Sequence, residues 1–224
     1  MSYKHPFFPI GLRLTGYHEM TIPAIYIFMV FGFCVVSLVG GTWALSGGGR
    51  NISTVERVIS CWLMVTAAIH MVIEGYVVVT PDYYQHPADN YLSEAWKEYT
   101  KADSRYATRD SFIISMEAVT AFMVGPMCFA AVFGILQHKS WKYPLMAILS
   151  VCQIYGDILY YGTCYLEDFI HARPEPLYFW GYFVTLNALW IVIPGLVLAY
   201  STRQIVNSLE ITNTKKVCDE SMAH

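Results

Sequence analysis

Five long apolar runs constrain this chain more than any other feature of its sequence. They lie at residues 22–45, 58–79, 112–136, 144–165 and 178–200. Each has roughly 22–25 residues, which is long enough for a helix to cross the hydrocarbon core of a bilayer. Because lipid cannot hydrogen-bond to exposed backbone groups, such runs must be helices. The sequence therefore predicts an all-α integral membrane protein built as a bundle of five transmembrane helices.

The composition supports this class and excludes others. Hydrophobic residues make up 55% of the 224-residue chain, and the formal net charge is −3, so there is no basic surface for nucleic acid. The six cysteines form no CxxC pair, so neither a disulfide framework nor a zinc site is expected. The chain divides into an N-terminal segment (1–21), one membrane domain (22–200) and a polar tail (201–224) that we expect to fray. Lys and Arg in the short loops and the tail favour a cytosolic C-terminus.

The long connection between the second and third runs, residues 81–111, has a helical pattern of its own. Acidic and basic residues are spaced along one side of the predicted helix, and Tyr91, Ala95 and Trp96 form an apolar face. We expect a short amphipathic helix at the membrane surface or capping the bundle. Tyr99, Asp103 and Arg105 of this connection are expected on a solvated, charged face.

Ionisable side chains inside the apolar runs are the strongest functional signal. His70 and Glu74, four residues apart, share one face of the second helix. Counted from the run ends, Glu74 and Glu117 both lie about 8 Å deep on the same side of the bilayer. His70 and Asn187 lie about 14 Å deep by the same count. The sequence therefore predicts a mid-membrane polar pocket, to which Asp157 and Trp190 also contribute by their depth.

The arrangement favours proton transfer on an apolar substrate. Charged groups at membrane depth are costly and mark functional sites, and two neighbouring carboxyls beside a histidine can share and move protons. Structural interpretations stay open. His70 and Glu74 could form an intrahelical hydrogen bond that only neutralises two buried groups, and Thr120 could serve helix packing. Asn187 could make an interhelical hydrogen bond, Trp190 could be a belt or core aromatic, and Asp157 could be a structural hydrogen bond. A single intramembrane histidine makes a metal site improbable, so no metal is expected.

Five segments carry a family resemblance: residues 70–75 (HMVIEG), 96–106 (WKEYTKADSRY), 116–121 (MEAVTA), 153–157 (QIYGD) and 176–190 (PLYFWGYFVTLNALW). In these segments the chain resembles the emopamil-binding protein family, the 3β-hydroxysteroid Δ8,Δ7-isomerases of sterol synthesis. The resemblance extends from about residue 40 to residue 195. The wider family also contains non-catalytic members, so the fold by itself does not decide the activity.

The resemblance implies a sterol isomerase that shifts a ring double bond from Δ8 to Δ7 through a carbocation, without a cofactor. It implies that His70, Glu74 and Glu117 are catalytic. Substrate or cation binding would fall to a larger set: Thr120, Asn187, Trp190, Tyr99, Asp103 and Asp157. The implied partners are a Δ8-sterol, cationic amphiphilic amines as inhibitors and the lipid bilayer, with a homodimer left open. The implied location is the endoplasmic reticulum membrane, with the nuclear envelope as a further one.

Two other functions stay open on the sequence. One is a non-catalytic membrane protein that binds a sterol or a cationic amine, as in the wider family. The other is a proton-coupled transporter that uses His70, Glu74 and Glu117 as a relay. Transporters commonly show paired repeats and broken helices, and neither is visible in this sequence.

Overall fold

The computed structural model describes residues 5–87 and 90–222; residues 1–4, 88–89 and 223–224, which belong to the N-terminal segment, the long connection and the tail, lie outside the described part. In chain order the helices are α1 (Ala24–Gly47), α2 (Thr54–Val79), α3 (Tyr91–Thr100), α4 (Arg105–Thr108), α5 (Ser111–Leu136), α6 (Lys142–Leu166) and α7 (Leu177–Met222). All except α3 and α4 are long and apolar enough to cross a membrane. The predicted five-helix membrane architecture is confirmed.

Three of the long helices contain a π-helical turn. These turns lie at Ile69–Glu74 in α2, Thr120–Val124 in α5 and Leu177–Leu186 in α7. Each contains or adjoins a residue that the sequence marks as functional, and π turns are frequent at functional sites. Nothing in the apolar pattern distinguishes them from ordinary helix, so the sequence did not predict them.

The polar tail differs from the expectation. Instead of fraying after residue 200, α7 continues as helix to Met222. The sequence after residue 200 contains neither glycine nor proline, so no residue interrupts the backbone hydrogen bonds of the helix.

Side chains of the loops fix the helix ends near the long connection. Asp110 caps the start of α5 by accepting a hydrogen bond from the Ile113 amide at 3.0 Å. Arg109, in a left-handed backbone conformation, donates to the carbonyls of Val77 and Val78 at the end of α2. These contacts satisfy groups that helix termini leave unpaired, and they hold α2 and α5 together at one end of the bundle.

The connection is a buried segment that caps the bundle rather than a helix on the membrane surface. In α3, the Lys97 ammonium lies 2.8 Å from a Glu94 carboxylate oxygen, and both side chains are fully buried. The other Glu94 oxygen accepts the amides of Thr21 and Ile22, which anchors the start of α1. Trp96 donates its indole N–H to the carbonyl of Ile73, inside the π turn of α2. Of the two predicted positions, capping of the bundle is therefore the observed one.

Two apolar cores flank the middle of the bundle. One is formed by residues of the connection together with the helices that it covers, and it includes Tyr83, Trp96 and Phe183. The other packs between α2, α5 and α6 and includes Leu63 and Leu149. Helix α1 stays largely exposed, with few buried side chains, as expected for a helix that faces lipid on most sides. The polar residues predicted for the pocket lie between these cores.

Candidate active site

A cavity of about 430 Å³ lies in the middle of the bundle. All five long helices, α3 and α4 contribute to its wall, which is mostly apolar and aromatic; Phe28, Trp96 and Tyr182 are examples. A volume in this range suits a small organic ligand. A limited set of polar side chains faces this apolar space, and most of them come from α2, α5 and α6.

His70 is held from three sides. Its Nδ1 atom lies 2.5 Å from Oε2 of Glu74, and its Nε2 atom lies 3.0 Å from the amide nitrogen of Gln153. Trp190 stacks on the imidazole with ring centroids 4.9 Å apart and an interplanar angle of 29°. With Gln153 donating to Nε2, the neutral ring donates its Nδ1–H to Glu74. His70 thus lines the cavity in an orientation that its partners fix.

Glu74 and Glu117 meet at Thr120. The Thr120 hydroxyl donates to Oε2 of Glu74 at 2.5 Å and lies 3.3 Å from Oε2 of Glu117. On the far side, the Tyr106 hydroxyl donates to Oε1 of Glu117 at 2.6 Å. Gln153, His70 and these four residues therefore form one continuous hydrogen-bonded chain along the cavity wall.

Tyr106 completes this chain from the connection. Burial, and next the negative charge of Glu117, raise the pKa of Tyr106 well above its ordinary value. The phenol therefore stays protonated at neutral pH and acts as a permanent donor to Glu117.

Asn187 and Tyr99 form a second polar contact on the cavity wall. Asn187 follows the π turn of α7 and donates its amide to the carbonyl of Phe183 at 2.6 Å. Its Oδ1 atom accepts the Tyr99 hydroxyl at 3.2 Å. Both predicted residues therefore line the cavity, and each has a partner within the protein.

The two predicted aspartates differ in position. Asp157 lines the cavity and is 7% exposed, and its Oδ2 atom is buried without a partner in the described residues. Asp103 does not line the cavity. It is fully buried behind the wall, where it binds Arg105 at 2.8 Å and accepts the Tyr160 hydroxyl at 2.7 Å. The expected solvated face for Tyr99, Asp103 and Arg105 is wrong. Tyr99 lines the cavity, and Asp103 and Arg105 neutralise each other inside the bundle.

Sequence reasoning missed three residues of this site. Gln153 and Tyr106 lie inside the segments that carry the family resemblance, yet only their contacts with His70 and Glu117 reveal a role. Gly125 follows the π turn of α5 and lets it approach α2, since a Cβ atom there would lie 3.1 Å from Cβ of His70. A glycine in an apolar run gives no sign of such a contact.

Comparison with known proteins gives this cavity a family context. The family model described as EXPERA, the expanded EBP superfamily, matches residues 91–201. The 3-beta-hydroxysteroid-Delta(8),Delta(7)-isomerase of Cavia porcellus is 39% identical over 221 residues, covering 94% of this chain and 93% of the relative. The chain belongs to the EBP family.

Two further relatives extend this comparison. The isomerase of the same name from Rattus norvegicus is 38% identical over 217 residues, which are 94% of this chain and 93% of the relative. A protoglabretal synthase from Citrus sinensis is 35% identical over 168 residues, which are 74% and 78% of the two chains. Relatives of similar identity thus carry different names, so a relative's name alone does not fix the particular substrate of this chain.

Proposed function

We propose that this EBP-family chain is a sterol Δ8–Δ7 isomerase, with His70, Glu74 and Glu117 as its proton-handling groups. The observation that carries this proposal is the hydrogen-bonded chain from Gln153 to Tyr106, which runs along an apolar cavity inside the membrane domain. The names of the relatives supply the substrate class, a 3β-hydroxysteroid.

The reaction adds one proton to the sterol and removes another. A Δ8 double bond joins C8 and C9 of the sterol, and a Δ7 double bond joins C7 and C8. Protonation of C9 leaves a carbocation at C8, and loss of a proton from C7 forms the new double bond. Atoms and electrons balance without an oxidant or a reductant, so acid–base groups suffice for the chemistry.

Glu74 is the group that we assign to exchange a proton with the sterol. Its Oε2 atom binds His70 and Thr120, and its carboxyl lies within hydrogen-bonding reach of Glu117, so the two carboxyls can share a proton. His70 has both ring nitrogens engaged, so it supports Glu74 rather than touching the substrate. Glu117, tied to Tyr106 and Thr120, serves as the second carboxyl of the relay.

The cavity also suits a cationic intermediate. The indole of Trp190 lines it, and aromatic faces attract positive charge. Carboxylates near a developing cation stabilise it strongly in a water-poor site. Cationic amphiphilic amines would mimic this intermediate and act as inhibitors. Access from the bilayer would suit α1, which faces lipid and contributes Phe28 and Phe31 to the wall. The endoplasmic reticulum membrane, the location that the family resemblance implies, is part of this proposal.

Deuterium incorporation tests the proposal. Purified protein in lipid nanodiscs is given a Δ8 3β-hydroxysterol in deuterated water, and the sterol products are analysed by mass spectrometry. We expect Δ7 product with one deuterium, located at C9, and a much slower reaction for Glu74→Gln. Protein that binds the sterol without converting it would favour the non-catalytic binding function. Product without deuterium would mean that the proton added at C9 comes from a group that does not exchange with solvent during turnover.

A further inference from the structure

Most polar side chains of the cavity already have partners within the protein. Glu74, Glu117, Thr120, Asn187 and the cavity tyrosines Tyr99, Tyr106 and Tyr160 are all hydrogen-bonded to other residues. Among the cavity residues in the described part of the chain, three buried polar atoms have no partner: Trp62 Nε1, Gln153 Oε1 and Asp157 Oδ2. Two of these are acceptors, and both belong to α6.

Asp157 and Gln153 lie four residues apart, so they project from the same face of α6 about 6 Å apart along the helix axis. They are 7% and 4% exposed, respectively. The side-chain amide nitrogen of Gln153 is already hydrogen-bonded to His70, whereas Asp157 makes no hydrogen bond to the described residues. The face of α6 that looks into the cavity therefore presents an unsatisfied carboxyl with an unsatisfied carbonyl one turn away.

An unpartnered carboxyl inside a membrane bundle lowers the stability of the folded protein. Burial of a polar group without a hydrogen bond costs free energy, and natural proteins rarely keep such a group unless a ligand uses it. The ligand that satisfies it must bring a hydroxyl or another polar hydrogen into an otherwise apolar space.

We infer that Asp157 binds the 3β-hydroxyl of the sterol, with the Gln153 carbonyl as its neighbour in this subsite. The inference rests on the proposed function, which supplies a substrate whose only polar group is one hydroxyl. A hydroxyl held on α6 leaves the fused rings to extend toward the carboxyls of α2 and α5. The subsite thereby selects free sterols over steryl esters and 3-deoxy sterols, which have no hydrogen to donate.

The test compares two substrates and two variants. Wild-type protein, Asp157→Leu and Asp157→Asn are assayed with a Δ8 3β-hydroxysterol and with its 3-deoxy counterpart, and KM and kcat are measured for each. We expect wild-type protein to prefer the hydroxysterol about 10- to 100-fold, mainly through KM. Asp157→Leu should lose that preference, and Asp157→Asn should keep part of it because an amide still pairs with a hydroxyl.

Stability and a matched control separate binding from folding. Without sterol, Asp157→Leu should melt at the same temperature as wild-type protein or higher, because it removes an unpaired buried carboxyl. Tyr155→Phe removes a hydroxyl from the same helix at a side chain that is 63% exposed, and should change neither KM nor kcat. A clearly lower Tm for both Asp157 variants would mean that the carboxyl supports the fold instead.

Other outcomes overturn the inference in distinguishable ways. An equal loss of kcat on both sterols would place Asp157 at the reacting carbons. An unchanged preference in Asp157→Leu would show that the hydroxyl binds elsewhere. If wild-type protein converts neither sterol, the proposed reaction fails, and the Kd of each sterol for wild-type protein and Asp157→Leu still decides whether Asp157 recognises the hydroxyl.

Discussion

Gly125 offers a sharp test of how the bundle positions His70. A Cβ atom at this position would lie 2.7 Å from Cγ of Met71, 3.1 Å from Cβ of His70 and 3.4 Å from the amide nitrogen of Met71. The Met71 side chain is 48% exposed and can turn away toward lipid. The Cβ atom of His70 cannot turn away, because it is fixed to the backbone of α2. Gly125→Ala must therefore push His70 away from α5 by a few tenths of an ångström.

Gly125→Ala should lower activity as well as folding stability. Overpacking typically costs about 1–3 kcal/mol, whereas replacing glycine by alanine in a helix returns about 1 kcal/mol. The net loss of folding stability is then about 0–2 kcal/mol. A misplacement of about 1 Å can cost 10²-fold in rate, so a smaller shift of the His70–Glu74 pair should lower kcat about 3- to 30-fold. KM should change little, because the cavity walls stay in place.

The assay is turnover of a Δ8 sterol by purified Gly125→Ala protein, together with its thermal unfolding. Gly162→Ala is the matched control, since a Cβ atom at Gly162 on α6 meets nothing within 4 Å. This control should keep full activity and gain slightly in stability. Full activity in Gly125→Ala would refute the idea that close approach of α5 holds His70 in place.

Four further substitutions test the site and the buried connection. Glu74→Gln and Glu117→Gln should each lower turnover at least about 100-fold while the protein stays folded, as measured by product formation and circular dichroism; wild-type rates would remove that carboxyl from the mechanism. Trp190→Leu should weaken inhibition by an ammonium amphiphile about 5- to 30-fold with little effect on binding of a neutral sterol, in a competition assay; equal effects would argue against cation stabilisation. Burial alone would raise the pKa of Glu94, but Lys97 and two backbone amides hold it below its ordinary value. The stability that the Glu94 carboxylate contributes is therefore present at neutral pH. It is lost as the pH falls through the lowered pKa of Glu94, which lies below the ordinary glutamate value of about 4.3. The Tm of Glu94→Gln should lie well below that of wild-type protein at pH 7, by the equivalent of about 3–5 kcal/mol, and the gap should narrow below about pH 4; a constant gap would contradict this ion pair.

The sequence by itself determined the membrane class, the five spans and the pairing of His70 with Glu74. These features are local, because run length decides whether a helix can cross a bilayer, and four-residue spacing places two side chains on one face. Depth counting also predicted that Glu117 would lie level with Glu74, and the Thr120 hydroxyl lies within hydrogen-bonding distance of both carboxylates. Such counting succeeds because the rise of a helix is constant and adjacent spans share a membrane surface.

Only the tertiary structure decided which partners each polar group has. Asp103 looked solvated in the sequence because it lies among charges, yet it pairs with Arg105 inside the bundle. Gln153 gained its contact with His70 from the packing of α6 against α2, 83 residues away along the chain. Asp157 could equally have been a structural hydrogen bond, and its lack of a partner is visible only when all the surrounding helices are in place. Contacts between distant segments depend on crossing angles and π turns, for which a single apolar pattern carries no signal.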